Sequence, residues 1–324
     1  MKYFKKIKFA ISILYFLIKK SNRHLITDVL MSINPKLKIS LLDIGAAGGV
    51  EPRWEKIIDF VNYIGFEPDS RSFLKLKEND KYHKIYNIGA WSFKGQIQIN
   101  LCKIPQVSSF YTPNFEILNL FPNKERFLVE KNNKINVVTI DSVLKSDCDF
   151  IKIDIQGGEL EVLKGANQVL GETLGLELEV EFIEMYKNQP LFGEVCKYLE
   201  TKNFCFMDFT NLCRWERNAH VGIGQNVFGD ALFLKTPEFV LEFYSNDLNK
   251  IEKYLTILVL YRRYDIIEIV LNGLNENFIK KLKHFIKKFD KMKKERALVI
   301  KINSIYNHLL NRKIDLPIKS HILY

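Results

Sequence analysis

A chain of 324 residues, 47% apolar, can bury a large core, and one main domain with an appendage is the natural expectation. Its five cysteines are scattered, odd in number and without a C-x-x-C pair, which argues against a zinc site or a disulfide framework and fits a reducing compartment. The net charge of +10 lies at the ends, with seven basic residues and no acid in residues 1–23 and a local +8 in residues 280–301, so the middle is mildly acidic and does not suit a broad nucleic-acid groove.

The N-terminus opens basic and then runs apolar from Phe9 to Ile18, too short for a bilayer, which needs roughly 20 residues. Lys19-Lys20 stands where a signal peptide would carry a small-residue cleavage site. Phe4, Ile7, Ile11, Leu14, Tyr15 and Ile18 share one helical face, which fits either a basic amphipathic helix on an anionic membrane surface or a helix packed on the core as a lid. A short helix over Leu25–Ile33 must end before Pro35. Ile39–Ile44 then reads as a buried parallel strand, followed at once by Gly45, Gly48 and Gly49 and by a helix starting near Pro52. Strand, glycine turn, helix presents backbone N–H groups to a ligand. The second strand, Val61–Phe66, ends in Glu67-Pro68-Asp69, where nucleotide folds grip a ribose diol. The glycines are spaced G-x-x-G-G rather than G-x-G-x-x-G, which argues against an NAD site. D-x-G-x-x-G with an acid at strand two looks instead like a pocket for S-adenosyl-L-methionine (SAM).

A helix from about Ser70 and a third strand, Ile85–Ile88, come next. Gly95 turns the chain into QIQINL, whose alternation suggests a hairpin. Residues 103–134, with three prolines, form a connection long enough to be a lid or binding loop. Val137–Ile140 is a further strand, and Asp141 is placed to cap the short helix after it. Asp149–Asp154 is a buried strand with an acid at its tip, followed by Gly157-Gly158 and a helix from Glu159 to Leu170. It repeats the first strand–turn–helix unit, so Asp43 and Asp154 are expected to flank one crevice.

In LGLELEVEF, Glu177, Glu179 and Glu181 alternate with apolar residues, as on an outer strand with a solvated acidic face. Leu191–Leu199 reads as a helix and Asn203–Phe209 as a strand. A loop with Arg214, Trp215, Arg217 and His220 leads to a late strand around Gly229-Asp230. The tail after Pro237 reads helical, with Phe278, Leu282, Phe285, Ile286 and Phe289 in one stripe among lysines. That is a helix packed on its neighbours with a solvated basic face, or a surface for anionic lipid or a polyphosphate-bearing carrier.

LLDIGAAGG, FEPD, NIGAWS-x-x-G, VVTIDSVL and DFIKIDIQGGELEVLKGA together resemble the FkbM family of SAM-dependent methyltransferases over about residues 39–235. The resemblance implies an α/β, class I (Rossmann-like) methyltransferase fold. It has a seven-stranded, mostly parallel sheet with helices on both faces, here with an N-terminal helical segment (1–36), the methyltransferase domain (37–236) and a basic helical C-terminal extension (237–324). It implies SAM as cofactor and O-methylation of sugars or other hydroxyl-bearing natural products, often among enzymes of bacterial surface glycans. Asp43, Gly45, Ala46 and Gly49 match the cofactor loop, Glu67 the ribose acid, and Asn87 and Ala90 the strand-three motif near the adenine. Asp154, Gly157 and Glu159 match a motif usually K-I-D-V-E-G-x-E, in which Gln156 here replaces a glutamate. The candidates for a base that takes the acceptor proton are Asp154 first, then Glu159 and His220. No spacing requires a metal. The expected protein is a cytoplasmic O-methyltransferase for a sugar or glycan precursor, with no nucleic-acid partner, and its basic ends are candidates for peripheral contact with the inner membrane. The alternative, motivated by Gln156, is a catalytically silent SAM- or glycan-binding assembly partner.

Overall fold

A computed structural model describes residues 27–78, 84–144, 148–217, 222–309 and 320–321. The basic apolar stretch around Phe9–Ile18 and the candidate base His220 lie outside the described residues. Two compact units emerge: one spans Lys38–Phe239 and takes in residues 320–321, and the other groups the segment up to Leu37 with Val240 onward.

The chain enters as helix at 27–31 (α1), then β1 (Ile39–Ile44), α2 (Pro52–Glu55), β2 (Val61–Phe66), α3 (Ser70–Lys77), β3 (Lys84–Tyr86) and β4 (Gly89–Ala90). The helix expected over Trp54–Asp59 is only one turn of α2 and a 3-10 turn at Ile58–Phe60. Next come β5 (Gly95–Cys102), α4 (Phe115–Leu118), β6 (Val129–Val138), α5 (Ile140–Val143) and β7 (Phe150–Ile153). After it run α6 (Glu159–Lys164), α7 (Asn167–Glu172), β8 (Gly175–Glu181), α8 (Phe192–Glu200), β9 (Phe204–Trp215) and β10 (Gln225–Lys235). Helices α9 (Pro237–Tyr244), α10 (Leu248–Leu260), α11 (Tyr264–Gly273), α12 (Glu276–Lys281) and α13 (Lys283–Leu309) follow, and the two-residue β11 (Ser320–His321) closes the described chain.

The main sheet has the order β11-β9-β10-β8-β7-β1-β2-β3. It is the expected seven-stranded, mostly parallel class I sheet, extended at one edge by β11, with β10 antiparallel to both neighbours. Its register sorts the two faces. Ile44, Ile153, Leu178 and Ala231 stand in one row on β1, β7, β8 and β10. They join a core closed by Leu160 and Leu163 of α6, Leu170 of α7 and Leu199 of α8, each such side chain contributing about 1.5–3 kcal/mol by leaving water. One position earlier, Asp43, Lys152 and Glu177 form a row on the opposite face. There Trp54 of α2 packs on Phe150, ring centroids 4.9 Å apart.

Four expectations need correction. Strand β8 is not an outer strand: it lies between β7 and β10 and is buried along its whole length. Its glutamates therefore point into the protein. β5 makes no hairpin with what precedes it. It pairs antiparallel with β6 in a separate three-stranded sheet, so residues 129–136 are strand rather than loop. Asp141 does not cap α5, whose cap is Thr139. Its carboxylate accepts the N–H groups of Gln168 and Val169 at 2.9 and 3.0 Å, capping α7 instead. The helix expected over Glu159–Leu170 breaks at Gly165, where a Cβ would lie 2.1 Å from the Trp91 carbonyl oxygen.

In the second unit α10 is buried on every side, and Phe278, Leu282, Phe285 and Phe289 of α12–α13 form a buried stripe while Lys280, Lys281, Lys283 and Lys287 are exposed.

Candidate active site

The turns after β1 and β7 leave the same end of the sheet and touch. Gly45 has φ +84°, and a Cβ there would fall 2.0 Å from the Asp154 carbonyl oxygen. Only a residue without a side chain fits a left-handed turn pressed against another main chain. The Asp154 N–H donates to the Ile44 carbonyl at 2.9 Å, and the Gly45 and Ala46 N–H groups donate to the Phe66 carbonyl at 3.0 and 3.2 Å. Gly49, φ +74°, closes the loop by donating to the Ala46 carbonyl at 2.8 Å, while around Gly48 there is open space. The glycine loop and the strand tips are thus tied through backbone.

Glu67 sits at the tip of β2 and is buried. Its Oε1 accepts the Asp69 N–H at 2.7 Å. Burial pushes its carboxyl up to about 7, only partly offset by that hydrogen bond. Asn87 donates its side-chain amide to the Glu67 and Pro68 carbonyls at 2.8 and 3.2 Å, so it fastens the tip that holds the acid. Ala90 lies in the core on β4, paired with Val138 of β6. Asp43, Gly45, Ala46, Gly49, Glu67 and Asn87 therefore share one rim, with Asp154 adjoining it.

Behind the rim stands a buried ionic chain. Tyr63 donates its hydroxyl to Asp43 Oδ2 at 2.8 Å. Lys152 Nζ lies 4.0 Å from Asp43 Oδ1 and 3.6 Å from Asp154 Oδ2. Burial works against the Lys152 charge, but Asp154, Asp43, Asp230 and Glu177 outweigh it and hold the ammonium above its usual range. Arg53 of α2 reaches Glu177 at 3.1 Å, and Thr210 donates to the same carboxylate.

Sequence reasoning missed Glu179, Glu181 and Asp230. Asp230 pairs in register with Glu179 across β10 and β8. Burial, reinforced by neighbouring carboxylates, pushes Glu179 and Glu181 well above the usual range and Asp230 to about 6. The alternation alone carried no signal for this, since only the pairing of β8 with β10 makes the strand interior. Glu159 lies beneath the turn, its carboxylate accepting the Ile155 and Gly157 N–H groups at 2.9 and 3.3 Å. In that position it holds the loop in shape.

Residues 103–128 cover this end of the sheet. Ser109 donates its hydroxyl to the Gln156 carbonyl at 2.6 Å, Tyr186 donates to the Val107 carbonyl at 2.9 Å, and the Lys187 N–H donates to the Thr112 carbonyl at 2.8 Å. Leu118, Phe121 and Phe127 of this connection bury themselves against Tyr186 and Trp215. The expected lid is therefore a packed cover. Among the described residues no group of three or more His, Cys, Asp or Glu side chains is arranged to hold a metal ion.

A family model described as the Methyltransferase FkbM domain matches residues 43–206. No curated protein matches the chain. Among solved structures it is similar to Methyltransferase FkbM from Methylobacillus flagellatus KT, with 16% identity over 62% of this chain and 45% of that one, TM-score 0.35. The match thus spans less than half of that protein's length. It is also similar to an rRNA methylase from Streptococcus thermophilus, with 10% identity over 64% of this chain and 93% of the other, TM-score 0.32. A precorrin-6y C5,15-methyltransferase from Geobacter metallireducens GS-15 shares 11% identity over 65% of this chain and 88% of its own, TM-score 0.31.

Proposed function

The chain belongs to the FkbM methyltransferase family, and from that premise we propose that it transfers the methyl group of SAM to a hydroxyl of a sugar or glycan precursor in bacterial surface polysaccharide synthesis, on the cytoplasmic side. The observation that supports the reading is the junction of the glycine turn at Gly45 with the Asp154 main chain, which brings the glycine loop beside a carboxylate at a strand tip. The residues present fit SAM. A buried Glu67 carboxylate suits a diol, open space at Gly48 admits a ligand, and the acidic surroundings suit a sulfonium cation. When bound, SAM supplies an electrophilic methyl group on that sulfonium. Asp154 accepts the proton of the acceptor hydroxyl, and Lys152, with its Nζ 3.6 Å from Oδ2, orients that carboxylate. Alignment of the hydroxyl is the larger contribution, and the packed cover over residues 103–128 excludes competing water. The acidic surroundings of Glu179, Glu181 and Asp230 favour an uncharged polyol acceptor over a phosphate. Among the described residues no helix is long and apolar enough to cross a membrane.

The test is incubation of the purified chain with methyl-labelled SAM and cell-surface glycan precursors. Label in a carbohydrate product is expected; SAM left unconsumed with every precursor fraction would favour the silent binding partner. Glu67→Ala is expected to weaken SAM binding, measured by calorimetry, by roughly tenfold or more, since it removes a charged acceptor for the diol. Because the ionised Glu67 is the acceptor and its carboxyl is raised to about 7, wild-type affinity should fade as pH falls through that value. The Glu67→Ala variant should lack this dependence.

A further inference from the structure

Gln156 stands two residues beyond Asp154 in left-handed backbone conformation, φ 62°. Its side-chain nitrogen faces two carboxylates, Asp154 Oδ1 at 3.2 Å and Glu179 Oε1 at 2.6 Å. Its side-chain oxygen faces the Tyr186 hydroxyl at 3.4 Å. An amide has two N–H donors on one side and an acceptor on the other, so this orientation gives each carboxylate a donor, and the reverse sets a carbonyl against two carboxylates. Around it stand Asp154 and, beyond it, Lys152 from β7; Glu159 from α6; Glu179 and Glu181 from β8; Asp230 from β10; and the hydroxyls of Tyr186 and Tyr111. Acids outnumber the single cation. An ionised glutamate at 156 has no hydrogen to donate, so three carboxylates could meet in this geometry only by binding a proton.

We propose that Gln156 is a positioning residue whose amide holds the Asp154 and Glu179 carboxyl groups together without itself titrating. On the methyl-transfer reading, this keeps Asp154 oriented toward the acceptor hydroxyl. The replacement of the usual glutamate is then an adjustment to a crowded acidic cleft and leaves the chain active.

The test compares wild type and Gln156→Glu as full chains by calorimetric melting from pH 5 to pH 8.5, with no ligand, so it does not depend on methyl transfer. The added carboxyl is raised in the fold by its neighbours. The stability it contributes is present at low pH and lost as pH rises through its folded pKa. The two melting temperatures should therefore nearly coincide at pH 5 and separate as pH rises, by roughly 3 °C or more for each unit by which the carboxyl is raised. If Gln156→Glu does not accumulate folded at neutral pH, the double variant Gln156→Glu/Glu179→Gln, which moves the amide to the facing side chain, should recover it. In the labelled-SAM assay, the acid limb of kcat/KM should move to higher pH by about one unit or more in Gln156→Glu. A melting difference that is constant across pH, or a double variant no better than the single, overturns the proposal. Absence of methyl transfer by the wild type would overturn the functional reading and leave the melting result to decide this one.

Discussion

Asp154→Asn is expected to lower kcat for methyl transfer by about 10²–10⁴-fold while SAM affinity changes by less than about threefold. The asparagine oxygen can still accept from Gln156, as Asp154 Oδ1 does now at 3.2 Å. Lys152 keeps its approach to Asp43 at 4.0 Å. The fold should therefore persist, and what disappears is the basic oxygen at the strand tip. Steady-state transfer to the labelled acceptor and a separate SAM titration distinguish the two effects. Activity within tenfold of wild type would move the base to a neighbouring carboxyl, Glu179 or Glu181.

Gly45→Ala is expected to be more damaging to the fold than any other change at the rim. Its methyl group would lie 2.0 Å from the Asp154 carbonyl oxygen at a backbone φ of +84°. Neither partner can yield, because the Asp154 N–H is bonded to β1 and the Gly45 N–H to β2. A cost of roughly 3 kcal/mol or more follows from the combined clash and strained dihedral. Gly48→Ala is the control: a Cβ there meets nothing within 4 Å, and the melting temperature should hardly move. Comparable melting of the two variants would contradict the contact between the turns.

Much of this arrangement was legible in the residues because the information is local. β1, β2 and β7 are short apolar runs that end in an acid or a glycine, and their order fixes which tips meet. Where sequence reasoning failed, the deciding neighbour was distant. Alternating charge in Gly175–Glu181 looks the same on an exposed edge as on an interior strand facing a polar cleft, and only the later β10 makes it interior. Asp141 was recognisable as a capping acid, but the N–H groups it satisfies belong to Gln168 and Val169. The polar first half of β6 hid because its strand is mostly exposed and its partner β5 lies on the far side of the long connection. Gln156 stood out as a departure from the family motif, yet the carboxylate that explains it, Glu179, is on another strand.

The main-chain abutment of residues 45 and 154 has a practical consequence for redesign. Main-chain contact and hydrogen bonding, rather than side-chain packing, fix the spacing between the glycine loop and the Asp154 backbone. Laboratory evolution toward new acceptors therefore has little to gain by varying either turn. Diversity belongs in the cover, at outward-facing positions such as Ile104, Leu120 and Leu128 and the side chains beside them, where exposure leaves room for change.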